Sequence, residues 1–380
     1  MTPDDLRASI PALDESVYLN TGAHGPSPQR VVDRATQFLE YHEYDSPAAD
    51  GPYPTAFDAY EEVREDVAAF LGAETDEIAL TQSTTDGINR IGTTLDWEPG
   101  DVVVRTDLEH PAGILPWRRL ERDGVEVRVV ESEDGRLDVD QYAEAVSGAD
   151  LVCFSAVTWN YGTRLPVREL TDIARDAGAL SVVDAVQAIG QFPVDVHEWG
   201  ADVVAGAGHK WLLGPWGAGF LYAERDVAES LQPHAVGYRG VREPTSDTME
   251  FEPGAKRFEI GTTSPAPHVA LREALQVADE IGLERTERHI ADLTTRFVDE
   301  IPDERLVSPP EPESGLVSFR VDDPEDTVER LADDGIVVRT IPEPNAVRAS
   351  FHTFNDESDV DTLLAGLEDN WWQGRQGDQR

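Results

Sequence analysis

Only two of the 31 basic residues in this 380-residue chain are lysines, Lys210 and Lys256. Lys210 stands in the Gly-rich run Ala205-Gly-Ala-Gly-His-Lys-Trp211. A surface charge is the ordinary role of a lysine, but this chain has put arginine in nearly every such place. Arginine cannot condense with a carbonyl group, so position 210 has a chemical reason to keep a primary amine. Upstream, the apolar stretch 179–183 runs into Asp184, and a second one, 202–206, leads to His209 and Lys210. If both stretches are neighbouring strands of an open α/β sheet, their carboxyl ends face the ligand crevice, and the carboxylate and the amine share one rim. The plainer alternative for Asp184 is a helix N-cap.

A lysine that can hold an aldehyde and a carboxylate that can keep a pyridine nitrogen protonated are what pyridoxal 5′-phosphate (PLP) requires. Its phosphate needs a cradle. Ser83, Thr84 and Thr85, at the end of one strand pattern and the start of a helical one, supply hydroxyls and free backbone N–H groups. Read alone, they equally make an ordinary cap. His110, in the segment 107–117, falls at another strand end, where an imidazole is placed to stack on a pyridine ring; a lone histidine there is otherwise structural.

The elements that must position these groups follow from the hydrophobic pattern. Between 77 and 223, apolar runs alternate with helical periods, which reads as βαβ units around a parallel sheet. Strands are predicted at 77–81, 101–105, 126–130, 150–156, 180–183, 203–205 and 218–222, with helices at 112–123 and 167–177. Gly124 and Gly178 follow those helices as C-caps. The stretch 237–254 is rich in Pro, Gly and Glu and predicts a long loop. After a helix at 267–281 the pattern becomes helix, strand (316–321), helix (324–333), two strands (336–339 and 346–350) and a final helix. The expectation is a mainly parallel α/β large domain, 16–260, and a smaller α+β domain, 261–380, on which residues 1–15 pack. The tail after Trp372 is expected to fray.

Composition limits the function. With 75 acidic residues the net charge is −44, and the acids are spread along the whole chain. Such a surface suits a halophile, in which concentrated salt screens the mutual repulsion, and it disfavours nucleic acid as a partner. The single cysteine, Cys153, excludes an internal disulfide and a CxxC metal site, and no metal is expected. The start of the chain does not read as a signal peptide, and no apolar run is long enough to span a bilayer. A cytoplasmic, membrane-free protein is expected.

The order of these motifs resembles the class V aminotransferases of fold type I, which include cysteine desulfurases and isopenicillin N epimerases. The similarity runs from Tyr18-Leu-Asn-Thr-Gly22 to Arg348-Ala-Ser350 and is most specific across VVDAVQAIGQFPVDV and GHKWLLGPWGAGFLY. The resemblance implies that Lys210 carries the Schiff base, Asp184 pairs with the pyridine nitrogen and Gln187 contacts the phenolic oxygen. It implies that His110 stacks on the ring and that Thr84, Thr85 and His209 hold the phosphate. Gly261-Thr262 resembles the turn that reaches the neighbouring subunit's phosphate, implying a homodimer. Arg348 matches the arginine that grips the α-carboxylate of an amino-acid substrate, and His24 is a further candidate substrate contact.

Three departures accompany the match. Ala207 stands where many relatives have a serine. Asn160, beside Trp159, either does or does not replace an asparagine that contacts the cofactor. The connection between Arg339 and Arg348, where desulfurases carry their persulfide cysteine, is short and has no cysteine, while Cys153 reads as buried core. Transamination is therefore the leading expectation. C–S cleavage without a protein persulfide and epimerisation are the alternatives, and a non-catalytic acidic binding protein is a remote one.

Overall fold

The computed structural model describes residues 1–372. All seven strands predicted between 77 and 223 form, with ends that differ by no more than two residues. They are β1 (Ile78–Thr81), β2 (Val102–Thr106), β3 (Glu126–Val130), β4 (Leu151–Ser155), β5 (Leu180–Asp184), β6 (Val203–Ala207) and β7 (Gly219–Ala223). They build one sheet in the order β1-β7-β6-β5-β4-β2-β3, parallel throughout except for β7. Helices cover both faces, so alternate residues of one strand enter different cores: Val152 and Phe154 one, Leu151 and Cys153 the other. Because β7 runs the opposite way, its first residue lies among the carboxyl ends of the other strands. There Gly219 pairs with Thr81, and a Cβ at Gly219 would lie 2.5 Å from the backbone nitrogen of Ser83. Only glycine permits that approach.

The predicted helix 112–123 is broken into a 3-10 turn (Pro111–Gly113), a short α-helix (Leu115–Leu120) and another 3-10 turn (Glu121–Asp123). Pro116 explains the restart: proline is accommodated in the first turn of a helix but not in its interior. The C-caps hold, with Gly124 and Gly178 both left-handed at φ 91° and 79°.

A second, three-stranded antiparallel sheet has β8 (Leu316–Phe319), β9 (Arg339–Ile341) and β10 (Ala346–Ser350) in the order β9-β10-β8. Its core joins Phe319 and Phe351 to Phe297, Leu331 and Val360 of the surrounding helices. The predicted strand 336–339 is in fact divided. Ile336–Val337 pairs in parallel with Val17–Tyr18, whereas Arg339 begins β9. The chain changes sheets at Val338, whose side chain is buried. Helix Ala266–Ile281 packs on Gln29–Glu40 and Pro52–Leu71. The N-terminal Leu6, Ile10 and Leu13 cluster with Ala270, Val277 and Phe354, and Arg7 pairs with Asp359 at 2.7 Å. The tail after Trp372 lies outside the described residues.

Candidate active site

Four strand ends of the large sheet and two paired strands of the small one bring together a buried, cation-rich group of side chains. Asp184 closes β5, fully buried, and its Oδ1 accepts the backbone N–H of Val186 at 3.0 Å. Burial pushes its carboxyl above the usual aspartate range, while that hydrogen bond and the nearby Lys210 pull it back. Lys210 follows β6 and is 8% exposed. Among the described residues its Nζ makes no ion pair or hydrogen bond. Burial brings its ammonium down to about 8; Asp184 opposes that shift, and Arg348 and Arg339 add to it. A lysine so placed carries a useful fraction of neutral amine near neutral pH, as a nucleophile or base must.

His110 and His209 flank these two. Burial first, then the charge of Lys210, holds each imidazole near pKa 4, so both are neutral. His110 accepts the N–H of Ala112 through Nδ1 at 3.3 Å and sets its ring edge-on to Trp159. His24 lies 6.4 Å from His209 in a stacked arrangement, and its Nδ1 accepts the indole N–H of Trp216 at 2.9 Å. Trp216, which the sequence reading did not single out, is thus an exposed wall of the site.

On the phosphate side, Ser83 is the N-cap of helix Thr84–Gly92, its Oγ accepting the N–H of Asp86 at 3.1 Å. Thr84 is buried with an unpartnered Oγ1, and Thr85 is exposed. Gln187 is buried. Its amide accepts from Trp211 Nε1 at 2.7 Å and donates to the Gly22 carbonyl at 2.9 Å, which leaves one N–H uncommitted.

Arg348 comes from β10 and is fully buried. Its Nη1 donates to the Trp159 carbonyl at 2.6 Å, while Nε and Nη2 have no partner among the described residues. Burial, then the neighbouring Arg339, brings this guanidinium down to about 9. Arg339 is the register partner of Arg348 across β9 and β10, and it lies over the Trp159 ring at 5.9 Å. The chain approaches closely here: a Cβ at Gly22 would fall 2.6 Å from Arg348 Nη2. Asn160, also buried, donates to the Glu343 carbonyl at 3.4 Å and keeps an unpartnered Oδ1. Gly261 and Thr262 lie elsewhere, on the outer surface beyond β1, where Thr262 shares a 2.7 Å hydrogen bond with Tyr238.

A lysine and two arginines that have no carboxylate partner among the described residues, beside one buried aspartate and inside a chain of net charge −44, make a receptor for an anionic ligand. Unpartnered donors on Arg348 and an unpartnered hydroxyl on Thr84 are what a carboxylate and a phosphate would satisfy. The residues fit PLP.

Residues 17–363 match the family described as aminotransferase class-V. The chain belongs to the class V aminotransferase family. As a member it is an enzyme, and its cofactor is PLP. It is 34% identical to a probable cysteine desulfurase of Methanothermobacter thermautotrophicus, over 97% of this chain and 98% of the relative. Its fold is similar to the apo cysteine desulfurase of Thermococcus onnurineus NA1, with a TM-score of 0.89 and 30% identity over 97% of this chain and 98% of the other. It is equally similar to the cystine C–S lyase C-DES, solved with its product cysteine persulfide: TM-score 0.89, 28% identity, 95% and 99% covered. Among the described residues no helix is long and apolar enough to cross a membrane, and no group of three His, Cys, Asp or Glu could hold a metal.

Proposed function

We propose that this class V enzyme cleaves the C–S bond of a cysteine whose sulfur already carries a second sulfur, a cystine-type disulfide. The observation that carries this reading is the absence of any thiol where sulfur could be parked. The β9–β10 connection, 342–345, is Pro-Glu-Pro-Asn, and Cys153 is 1% exposed within β4 with its thiol pushed well up by burial. The sulfur must then leave on a small molecule. Elimination gives R–S–SH and 2-aminoacrylate, which water converts to pyruvate and ammonia. Similarity to a cystine C–S lyase and to desulfurases favours this chemistry over the transamination that led the sequence reading.

When bound, PLP supplies the electron sink for the bond broken at Cα. Arg348 grips the α-carboxylate through its free Nε and Nη2, a bidentate geometry. Lys210 holds the cofactor and then removes the Cα proton as a neutral amine. Asp184 would keep the pyridine nitrogen charged, His110 would cover the ring, and Gln187 and Asn160 would offer their amides to its polar groups. Ser83, Thr84, Thr85 and His209 would hold the phosphate, with Gly261 and Thr262 of a second copy completing the site in a homodimer. His24 lines the substrate side. Arg339, close to Arg348 and without a carboxylate partner among the described residues, suits the second carboxylate of a disulfide substrate. We assign these roles to a lobe of residues 16–260 and a lobe that begins at residue 261, with residues 1–15 packed on the latter.

Incubation of the PLP-loaded enzyme with cystine should release pyruvate, ammonia and persulfide in equal amounts, and cysteine should be a poorer substrate. Formation of a keto acid with transfer of the amino group, or an inverted amino acid without pyruvate, would overturn the reading.

A further inference from the structure

Beside the carboxylate that ends β5 lies a second buried acid with no role in the chemistry above. Glu109, 2% exposed, sits on the turn after β2 and immediately precedes His110. Its Oε1 accepts from Thr106 Oγ1 at 2.6 Å and from the backbone N–H of Ser155 at 3.1 Å, and its Oε2 accepts from Ser155 Oγ at 2.7 Å. Ser155 closes β4 and is the register partner of Asp184, whose carbonyl accepts the next N–H, that of Ala156, at 2.9 Å. The ends of β2, β4 and β5 therefore lie side by side, and the Glu109 carboxyl ties the first two together.

Among the described residues no Lys or Arg forms an ion pair with Glu109. The charged and titratable groups that face it are Arg105 from β2, Cys153 from β4, Asp184 from β5 and Tyr142 from helix Val139–Val146. Arg105 spends Nη1 on the Thr106 carbonyl at 2.8 Å instead. We infer that Glu109 is a positioning residue that anchors the His110 turn to the end of β4 and, by holding or releasing its own proton, sets the charge beside Asp184.

Three donors would satisfy an ionised carboxylate, but full burial and the neighbouring Asp184 resist that charge. Burial raises Glu109 most, the Thr106 and Ser155 hydroxyls lower it, and the balance stands at about 7. The acid is thus neutral in weak acid and charged in weak base. Its charge, when present, favours retention of protons nearby, on the cofactor ring and at its link to Lys210. This role holds whichever bond the enzyme breaks after the Cα proton is lost.

The test uses the PLP-loaded enzyme and two substitutions. Glu109→Gln keeps the shape and an acceptor for Thr106 and the Ser155 N–H but has no charge. An acid whose folded pKa is raised stabilises the fold below its unfolded pKa and loses that contribution as pH rises through the folded one. The melting temperature of Glu109→Gln should therefore gain on wild type as pH rises from about 5 to about 8. The absorbance change of the lysine-bound cofactor should shift to lower pH by about half a unit or more. Glu109→Ala, which removes the tie, should retain PLP about tenfold less tightly, with the glutamine variant restoring most of that loss. If Glu109→Gln does not fold, Ser155→Ala removes one donor from the ionised carboxylate and should move the fall in melting temperature to higher pH. A melting difference that is flat with pH, or an alanine variant that binds PLP like wild type, would overturn the inference.

Discussion

Two regions hold buried cations, and they treat them in opposite ways. Around Glu61 and Glu259 the cations Arg64, Arg239 and Lys256 all have carboxylate partners. Arg64, 1% exposed, donates Nη2 to Glu259 at 2.6 Å, Nε to the Ile78 carbonyl at 3.1 Å and Nη1 to Glu61. Lys256 pairs with Glu61 at 2.8 Å, and Arg239 pairs with the other oxygen of Glu259. In the active site the same residue types lack carboxylate partners among the described residues: Lys210 makes no ion pair there, and Arg348 makes one hydrogen bond and leaves two donors unpartnered. The electrostatic result differs in sign. Burial lowers Arg64, but Glu259 and Glu61 outweigh it and leave it raised, while nothing comparable opposes the fall of Arg348 to about 9. A cation kept short of partners at a cost in desolvation is a cation reserved for a ligand.

The lysines give the largest contrast. Lys210→Ala should abolish covalently trapped PLP and its visible absorbance, and Lys256→Arg should leave both intact. Recovery of borohydride-reduced PLP on Lys256 by peptide mapping would reverse the assignment. The arginines come next. Arg64→Met leaves Glu259 with one partner fewer in a dry site and should cost about 3 kcal/mol of stability, read by chemical denaturation. Arg348→Ala should cost little or no stability and should hold PLP normally, yet weaken substrate binding by about 2–5 kcal/mol. If both variants melt alike and turn over alike, the distinction between spent and reserved cations fails.

Much of this was legible in the sequence because its signals are local. Seven short apolar runs punctuated by Gly and Asp gave the large sheet, and the scarcity of lysine pointed to Lys210. Long-range pairing was less legible. Helix Pro52–Leu71 was not singled out; Pro52 and Pro54 lie in its first turn, where proline is accommodated. Val338 gave no sign that 336–339 would serve two sheets. Glu109 is one acid among 75, and only burial distinguishes it. Arg339 had a faint signal, an arginine in each of two adjoining strand patterns, but their register appears only when β9 and β10 pair.

The smallest expected effect tests the other buried reactive group, the lone thiol. Desulfurase chemistry of the persulfide kind needs a thiolate that meets the substrate sulfur and then carries it away, which demands low pKa and access. Cys153 has neither. It lies in the middle of β4, register-paired with Arg105 on one side and Val182 on the other, and burial first, then Glu109, raises its thiol. Its Sγ packs 3.6 Å from where a Cβ on Gly113 would be, within a core that includes Val103, Trp117 and Val182. In the folded enzyme it should resist alkylation, and labelling should appear only with unfolding. Cys153→Ser places a hydroxyl in that core and should cost about 1–2 kcal/mol of stability, while turnover of a cystine-type substrate stays at the wild-type level. A Cys153→Ser protein that folds and holds PLP but no longer releases sulfur would make this buried thiol the carrier and bring the enzyme back to the persulfide mechanism.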